Sequence, residues 1–179
     1  GAINGVAVGI GATMLLPMDV RICSNTARFG FVFAKRGIVP EAASSWFLPR
    51  LIGIEKALKL CYSGKVINAE EALDFKLVSE IVSEESLIER ALQIAKEFTA
   101  ESSQISIAIT RQLMWRMLGA DDPMEAHKID SRAVNELGRS GEAEEGVMSF
   151  LEKRKPIFPG KVSKDMPSFY PWWSEKEFE

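Results

Sequence analysis

The chain has 179 residues, 46% of them hydrophobic and 26% charged, with a formal charge of −3. That is enough for one domain with a real core; there is no basic footprint for nucleic acid, and no apolar run long enough to cross a membrane. The two cysteines, Cys23 and Cys61, form no CxxC pattern and read as reduced thiols of a cytoplasmic protein, and a lone histidine, His127, leaves no cluster for zinc or another metal.

The opening stretch, GAINGVAVGIGATMLL, has no polar lead-in and no signal-peptide charge pattern. It reads as the inside of an ordered element, so the natural beginning of the protein is expected to lie before it. Residues 2–8 are predicted to be the end of a buried strand that needs neighbours from outside this chain. Gly9-Ile10-Gly11 then opens a short apolar helix to about residue 16, which Pro17 helps to end. Residues 20–23 and 28–33 are strand candidates separated by the turn residues Ser24-Asn25.

After Pro40 the pattern is mostly helical. Helices are predicted over 41–51 and 54–62, the second ended by Ser63-Gly64. Asn68 caps a third, with Glu71 at the reciprocal capping position. Residues 76–82 return briefly to a strand. Ser83 is predicted to cap a long helix whose buried stripe is Leu87, Ile88, Ala91, Leu92, Ala95 and Phe98. Ile105, Ala108, Ile109, Leu113 and Met117 form the next stripe, and Ile107, Met114 and Leu118 extend it so far round that an oligomer contact is expected. Asp122-Pro123 with Glu125 marks a helix start, residues 142–154 form the last helix, and an extended tail is expected to lie on a surface.

Two places invite a chemical reading. The Gly9-Ile10-Gly11 turn is not a dinucleotide fingerprint, since Met14 stands where the third glycine should be, and Ser63-Gly64-Lys65-Val66 lacks the hydroxyl of a phosphate-binding loop. The backbone N–H groups of Ile10 and Gly11 would instead lie unpaired at the positive end of a helix, able to hold a developing oxyanion. The alternative is a packing turn. Glu41 is the one carboxylate in GIVPEAASSWFLPRLIG, among apolar or small neighbours where an acid is costly to ionise unless something compensates. It is either a helix-start acid or a proton-transfer group. His127 reads as solvated or packed, and Lys153, Arg154 and Lys155 as a solvated helix end or a phosphate contact.

The ordered set AINGVAVGIGATMLLPMDVRICSNTARFGF, RGIVPEAASSWFLPRLIG, ALKLCYSGKVINAEEALDFKLVSEIV and the late EGVMSFLEKRKPIF resembles the enoyl-CoA hydratase/isomerase family, the crotonase fold. The resemblance implies an α/β protein. It implies the C-terminal portion of a crotonase-like ββα superhelix over 1–82, a helical trimerisation region over 83–158 and an extended tail over 159–179. It also implies an acyl-CoA thioester as substrate, coenzyme A entering only as part of that substrate with no other cofactor, and a homotrimer or hexamer. By the resemblance, Ile10 supplies one oxyanion-hole N–H, flanked by Gly9 and Gly11 at the substrate. The second donor belongs to an earlier motif absent from this chain.

Two glutamates activate water in family hydratases. Here their positions are held by Thr13 and Phe33, which leaves those residues as substrate contacts rather than acids. Other members, dienoyl-CoA isomerases and aroyl-CoA dehalogenases, carry an Asp at the position of Glu41. The resemblance therefore makes Glu41 the acid/base residue and favours moving a double bond over adding water. Trp46 and Phe47 are expected to line the acyl pocket or to pack in the core, and Lys153 to reach the coenzyme A phosphates of a neighbouring subunit. A hydratase working with one carboxylate, or a crotonase-like binding protein without catalysis, are the alternatives.

Overall fold

The computed structural model describes residues 1–178. They fall into two compact units, Gly1–Ala95 and the residues from Lys96 onward. In the first, six short strands form two three-stranded sheets. β1 (Ala2–Ile3), β3 (Ile22–Ser24) and β6 (Glu80–Val82) run parallel, in the order β1-β3-β6. β2 (Val6–Val8), β4 (Arg28–Gly30) and β5 (Val66–Asn68) make the other, in the order β2-β4-β5, with β2 parallel and β5 antiparallel to β4.

The strand predicted over 2–8 is thus two strands in different sheets, broken by the turn residues Asn4-Gly5. Both lie at a sheet edge, and Val6 is exposed. The same step recurs after β3, where Ala27 N–H donates to Ser24 O at 3.1 Å and the chain again changes sheet. Each such step gives one strand to each sheet, which is the alternation the superhelix requires. Residues 31–33 leave the sheet, because β4 ends at Gly30 and a short 3-10 turn, Ala34–Arg36, follows.

Phe29, Phe31, Leu16, Leu48 and Ile67 are the largest fully buried side chains of the first core. Cys23, in the middle strand of its sheet, is fully buried, and burial first, then the Glu70 charge, pushes its thiol up to about 11. Arg21 is also buried. Its guanidinium donates to the carbonyls of Leu77 (2.8 Å) and Met18 (2.5 Å), which satisfies a charge that would otherwise be expensive to bury.

α1 (Ile10–Thr13) follows β2. α2 (Ser44–Ile52) starts three residues later than expected, because Ala42 and Ala43 both take left-handed backbone (φ 52° and 55°) and delay the helix. α3 (Ile54–Ser63) ends before Gly64, as the sequence indicates. α4 (Ala69–Asp74) has the expected capping box: Asn68 Oδ1 accepts the Glu71 N–H at 2.8 Å and Glu71 Oε2 accepts the Asn68 N–H at 3.2 Å. Asn68→Ala should cost about 1 kcal/mol of stability; a chemical-denaturation midpoint equal to wild type would contradict this.

α5 (Leu87–Thr99) begins four residues after Ser83, whose hydroxyl caps only a turn by accepting the Ser86 N–H at 3.4 Å. Leu87 is buried, but Ile88, Leu92 and Phe98 of the predicted stripe are exposed. Periodicity identifies the face that favours cover without saying what supplies it.

The second unit contains α6 (Gln104–Met117), α7 (Pro123–Leu137) and α8 (Gly141–Leu151). Ser103 and Asp122 cap the first two, accepting N–H groups from Ser106 and Met124 at 3.2 and 2.7 Å. α8 stops short of residue 154 because Lys153 is left-handed (φ 54°). The tail does more than lie on a surface. Phe169 is buried with Ile105, Ile109 and Ala133 in a second core, and the Arg116 guanidinium stacks 3.3 Å from the Trp173 ring. Glu142, only 6% exposed, joins two parts of this unit. It accepts the Ser103 hydroxyl through Oε2 and the Gly160 N–H at 2.7 Å through Oε1. Hydrogen bonds from Arg154 (2.6 and 2.8 Å), and then one from Ile157 N–H, hold the Glu145 carboxyl down to about 2.

Candidate active site

The glycine turn sits at the end of β2. Gly9 has φ 60° and ψ −126°, a region that only glycine enters readily, so the chain can leave the sheet and start α1 at once. Its N–H still donates to Gly30 O at 3.0 Å, which fastens the turn to the neighbouring strand β4. Its carbonyl accepts the N–H groups of Ala12 and Thr13 at 2.9 and 3.0 Å. Ile10 and Gly11 are the first two residues of the helix, where an N–H has no acceptor one turn back. The Ile10 side chain is exposed, so its Cβ projects beside the donor rather than into the core.

Thr13, one turn along α1, is 0% exposed. Its hydroxyl donates to Glu41 Oε1 at 2.5 Å and lies 3.3 Å from the Ile10 carbonyl. Glu41 is not inside a helix. It stands in the turn before α2, and the residue as a whole is exposed rather than enclosed in an apolar pocket. Its backbone is clamped by Ser44, whose N–H (3.0 Å) and hydroxyl (2.6 Å) both donate to the Glu41 carbonyl. The sequence marks Glu41, Ile10 and Thr13 separately; the fold joins them through one hydroxyl. Sequence reasoning missed Thr13 as a donor to Glu41 and Ser44 as a clamp. The first pair is 28 positions apart, and no spacing rule reaches that far.

Phe33 is buried and belongs to the first core, so its side chain packs within the protein. A pocket of about 430 Å³ opens beside Glu41 along the chain, lined by Ile38, Val39, Pro40, Leu48, Leu58 and Tyr62 among others. Its α2 contribution is Ser44, Ser45, Leu48 and Pro49, one face of that helix. Trp46 lies off that face: it meets Phe47 edge-on at 4.8 Å and stacks under the Arg50 guanidinium at 4.1 Å. Lys153 is exposed in the turn after α8, and His127 is exposed on α7. Among the described residues no group of three or more metal-binding side chains gathers, and no helix is long and apolar enough to cross a membrane.

The sequence profile described as enoyl-CoA hydratase/isomerase matches residues 1–161. The chain belongs to the enoyl-CoA hydratase/isomerase family. One similar member is the enoyl-CoA hydratase AFT3-1 of Alternaria alternata, 47% identical over 158 residues, covering 88% of this chain and 53% of that protein. Another is the 1,2-epoxyphenylacetyl-CoA isomerase of Escherichia coli, 32% identical over 166 residues, covering 89% and 60%. The fold matches the crystal structure of an enoyl-CoA hydratase from Bacillus anthracis with a TM-score of 0.82 at 30% identity, over 88% of this chain and 60% of that one. The crotonase fold is therefore that of this chain, which spans between about half and two thirds of the length of these family members.

Proposed function

We propose that this family member moves a double bond within an enoyl-CoA thioester, with Glu41 as the acid/base residue. The observation that carries the reading is the Thr13–Glu41 hydrogen bond. The residue that falls where family hydratases carry their first glutamate is Thr13, and its hydroxyl meets a carboxylate brought in from another segment. A carboxylate is thus present beside the glycine turn although the local sequence lacks one.

The chemistry follows from that placement. Glu41 takes a proton from a carbon beside the thioester carbonyl or along the conjugated chain. The electron pair moves onto the carbonyl oxygen, where the Ile10 N–H stabilises the enolate, with Gly9 and Gly11 allowing the substrate close approach. Glu41 then returns the same proton to a different carbon, so the double bond has moved and no atom is gained or lost. The thioester itself acidifies the carbon, and the step as written uses coenzyme A only as part of the substrate. The pocket beside Pro40 and Ser44 is apolar, as an acyl chain requires.

The hydratase name of the relative at 47% identity favours a second reading, water addition with Glu41 as the single carboxylate. Product analysis of the full-length protein with 2-enoyl and 3-enoyl thioesters separates the two. A product of unchanged mass with a displaced double bond supports isomerisation, and a product heavier by one water supports hydration. Turnover of neither ester overturns both and leaves a non-catalytic acyl-CoA binder.

We further infer a homotrimer or hexamer, on the strength of the exposed apolar residues Met114 on α6, Leu118 at its C-cap and Leu92 on α5, and a cytoplasmic location, on the strength of the two free thiols Cys23 and Cys61. A monomer by light scattering at micromolar concentration would exclude the oligomer. Lys153, exposed and held outside its helix by left-handed backbone, is the proposed contact to the coenzyme A phosphate of a neighbouring subunit. Lys153→Ala should weaken binding of a coenzyme A ester at low salt, with a smaller loss at high salt where the phosphate charge is screened. Equal affinity at low salt, read by isothermal titration, would remove Lys153 from the site.

A further inference from the structure

We propose that Thr13 is a positioning residue that aims the Glu41 carboxyl at the glycine turn and remains hydrogen-bonded to it in both of its protonation states. The proposal rests on the reading of Glu41 as the acid/base group, and it assigns to Thr13 a role different from contact with substrate. The Thr13 side chain has no exposed surface, so substrate meets Glu41 and not Thr13.

Three features of the geometry support this. An exposed glutamate on a turn normally samples many directions, because water competes for its oxygens and three torsions are free to rotate. Here the backbone is fixed from behind by two bonds from Ser44 to the Glu41 carbonyl, and by the left-handed pair Ala42–Ala43 that turns the chain back. Backbone of that kind at non-glycine residues is retained only where the surroundings over-determine it. At the other end of the side chain, the buried Thr13 hydroxyl sits 2.5 Å from Oε1, in the range of a short hydrogen bond to a charged oxygen. A carboxylate held at both ends keeps one direction.

The second acceptor explains why a hydroxyl serves here. Thr13 Oγ1 has one hydrogen and two candidate acceptors, Glu41 Oε1 at 2.5 Å and the Ile10 carbonyl at 3.3 Å. When Glu41 is a carboxylate, the hydroxyl donates to it. When Glu41 has taken a proton from substrate, its own O–H can donate to Thr13 Oγ1, and the Thr13 hydrogen rotates to the Ile10 carbonyl. No proton leaves the pair; only the sense of the hydrogen bond reverses. Neither state of Glu41 loses its partner, which suits a group that must receive a proton and give it back. An ammonium in place of the hydroxyl has no acceptor and could not reverse, and an amide could do so only by turning end for end.

The test is a double-mutant cycle in the full-length protein, with turnover of an enoyl-CoA ester and thermal stability measured for every variant. Thr13→Val keeps the shape and removes the hydroxyl. It should lower kcat by about 10–10²-fold with little change in KM, and Thr13→Ser should restore most of kcat. In a Glu41→Gln background the Thr13→Val change should have no further effect on kcat, because Thr13 acts only through Glu41. An equal loss in both backgrounds, a loss confined to KM, or a kcat within twofold of wild type in Thr13→Val overturns the proposal. So does a Thr13→Ser variant as impaired as Thr13→Val. If Glu41→Gln itself leaves turnover unchanged, the reading of Glu41 has failed, whatever Thr13 does. If Thr13→Val is too unstable to assay, Thr13→Ala and Thr13→Ser provide the same comparison.

Discussion

Glu41→Gln is expected to lower turnover of an enoyl-CoA ester by about 10²–10⁴-fold, with KM nearly unchanged and the thermal midpoint close to that of wild type. The substitution is nearly isosteric. Its amide oxygen can still accept the Thr13 hydroxyl, and the bonds from Ser44 reach only the backbone carbonyl, so the turn should persist. What disappears is the ability to take a proton. Glu41 is exposed and has no ion-pair partner among the described residues, so its stability contribution should fall in the surface range of about ±0.5 kcal/mol. Steady-state kinetics on the full-length protein decides the matter, and turnover within a few-fold of wild type would leave Glu41 as an acid before a helix and nothing more.

Glu142→Ala should produce the largest loss of stability outside the first core, about 2–4 kcal/mol. The carboxylate is buried and accepts two hydrogen bonds, one from the Ser103 side chain that caps α6 and one from the backbone of Gly160. Removing it strands both donors where water has little access, and detaches the cap of one helix and the tail segment together. Glu142→Gln should cost less. Its oxygen can still accept from Gly160, and its amide can donate to the Ser103 oxygen. The space around Gly160 sharpens the point: a Cβ there would come within 2.8 Å of Glu142 Oε1 and 2.4 Å of Ile105 Cδ1, so Gly160→Ala should also destabilise. Urea unfolding followed by tryptophan fluorescence would measure the series, and a Glu142→Ala midpoint equal to wild type would show that the clasp contributes nothing.

What the sequence made legible was local. The Asn68–Glu71 box, the Asp122-Pro123 start and the stop at Gly64 are each set within a few residues, by side chains that bond to backbone nearby. The start of α2 departs from the local signal for the same reason. Pro40-Glu41 carries a proper helix-start signal and is followed by two alanines, the best helix formers. Those alanines are left-handed in the fold because the loop after the 3-10 turn must bring Glu41 back against α1, and tertiary contact overrides propensity. The carboxylates tell a similar story. The resemblance registers Thr13 and Phe33 in place of two glutamates and singles out Glu41, and only the fold shows that Glu41 meets the Thr13 hydroxyl. Phe169 was hidden in a tail without periodicity; it is a core residue because of where the chain takes it, and nothing in its neighbours announces that.

The burial of Cys23 has a practical corollary in reaction kinetics. With the thiol pushed up to about 11, roughly one molecule in 10⁴ carries the reactive thiolate at neutral pH. Cys23 has no exposed surface, and strands β1 and β6 pair with its strand on either edge within the sheet. An alkylating reagent therefore reaches Cys23 only in molecules whose sheet has come apart, whereas Cys61, half-buried at the lining of the apolar pocket, is open to attack without that event. The protein thus carries two internal clocks that peptide mapping can read separately: one keeps time with the opening of the β1-β3-β6 sheet, and the other slows when something fills the pocket.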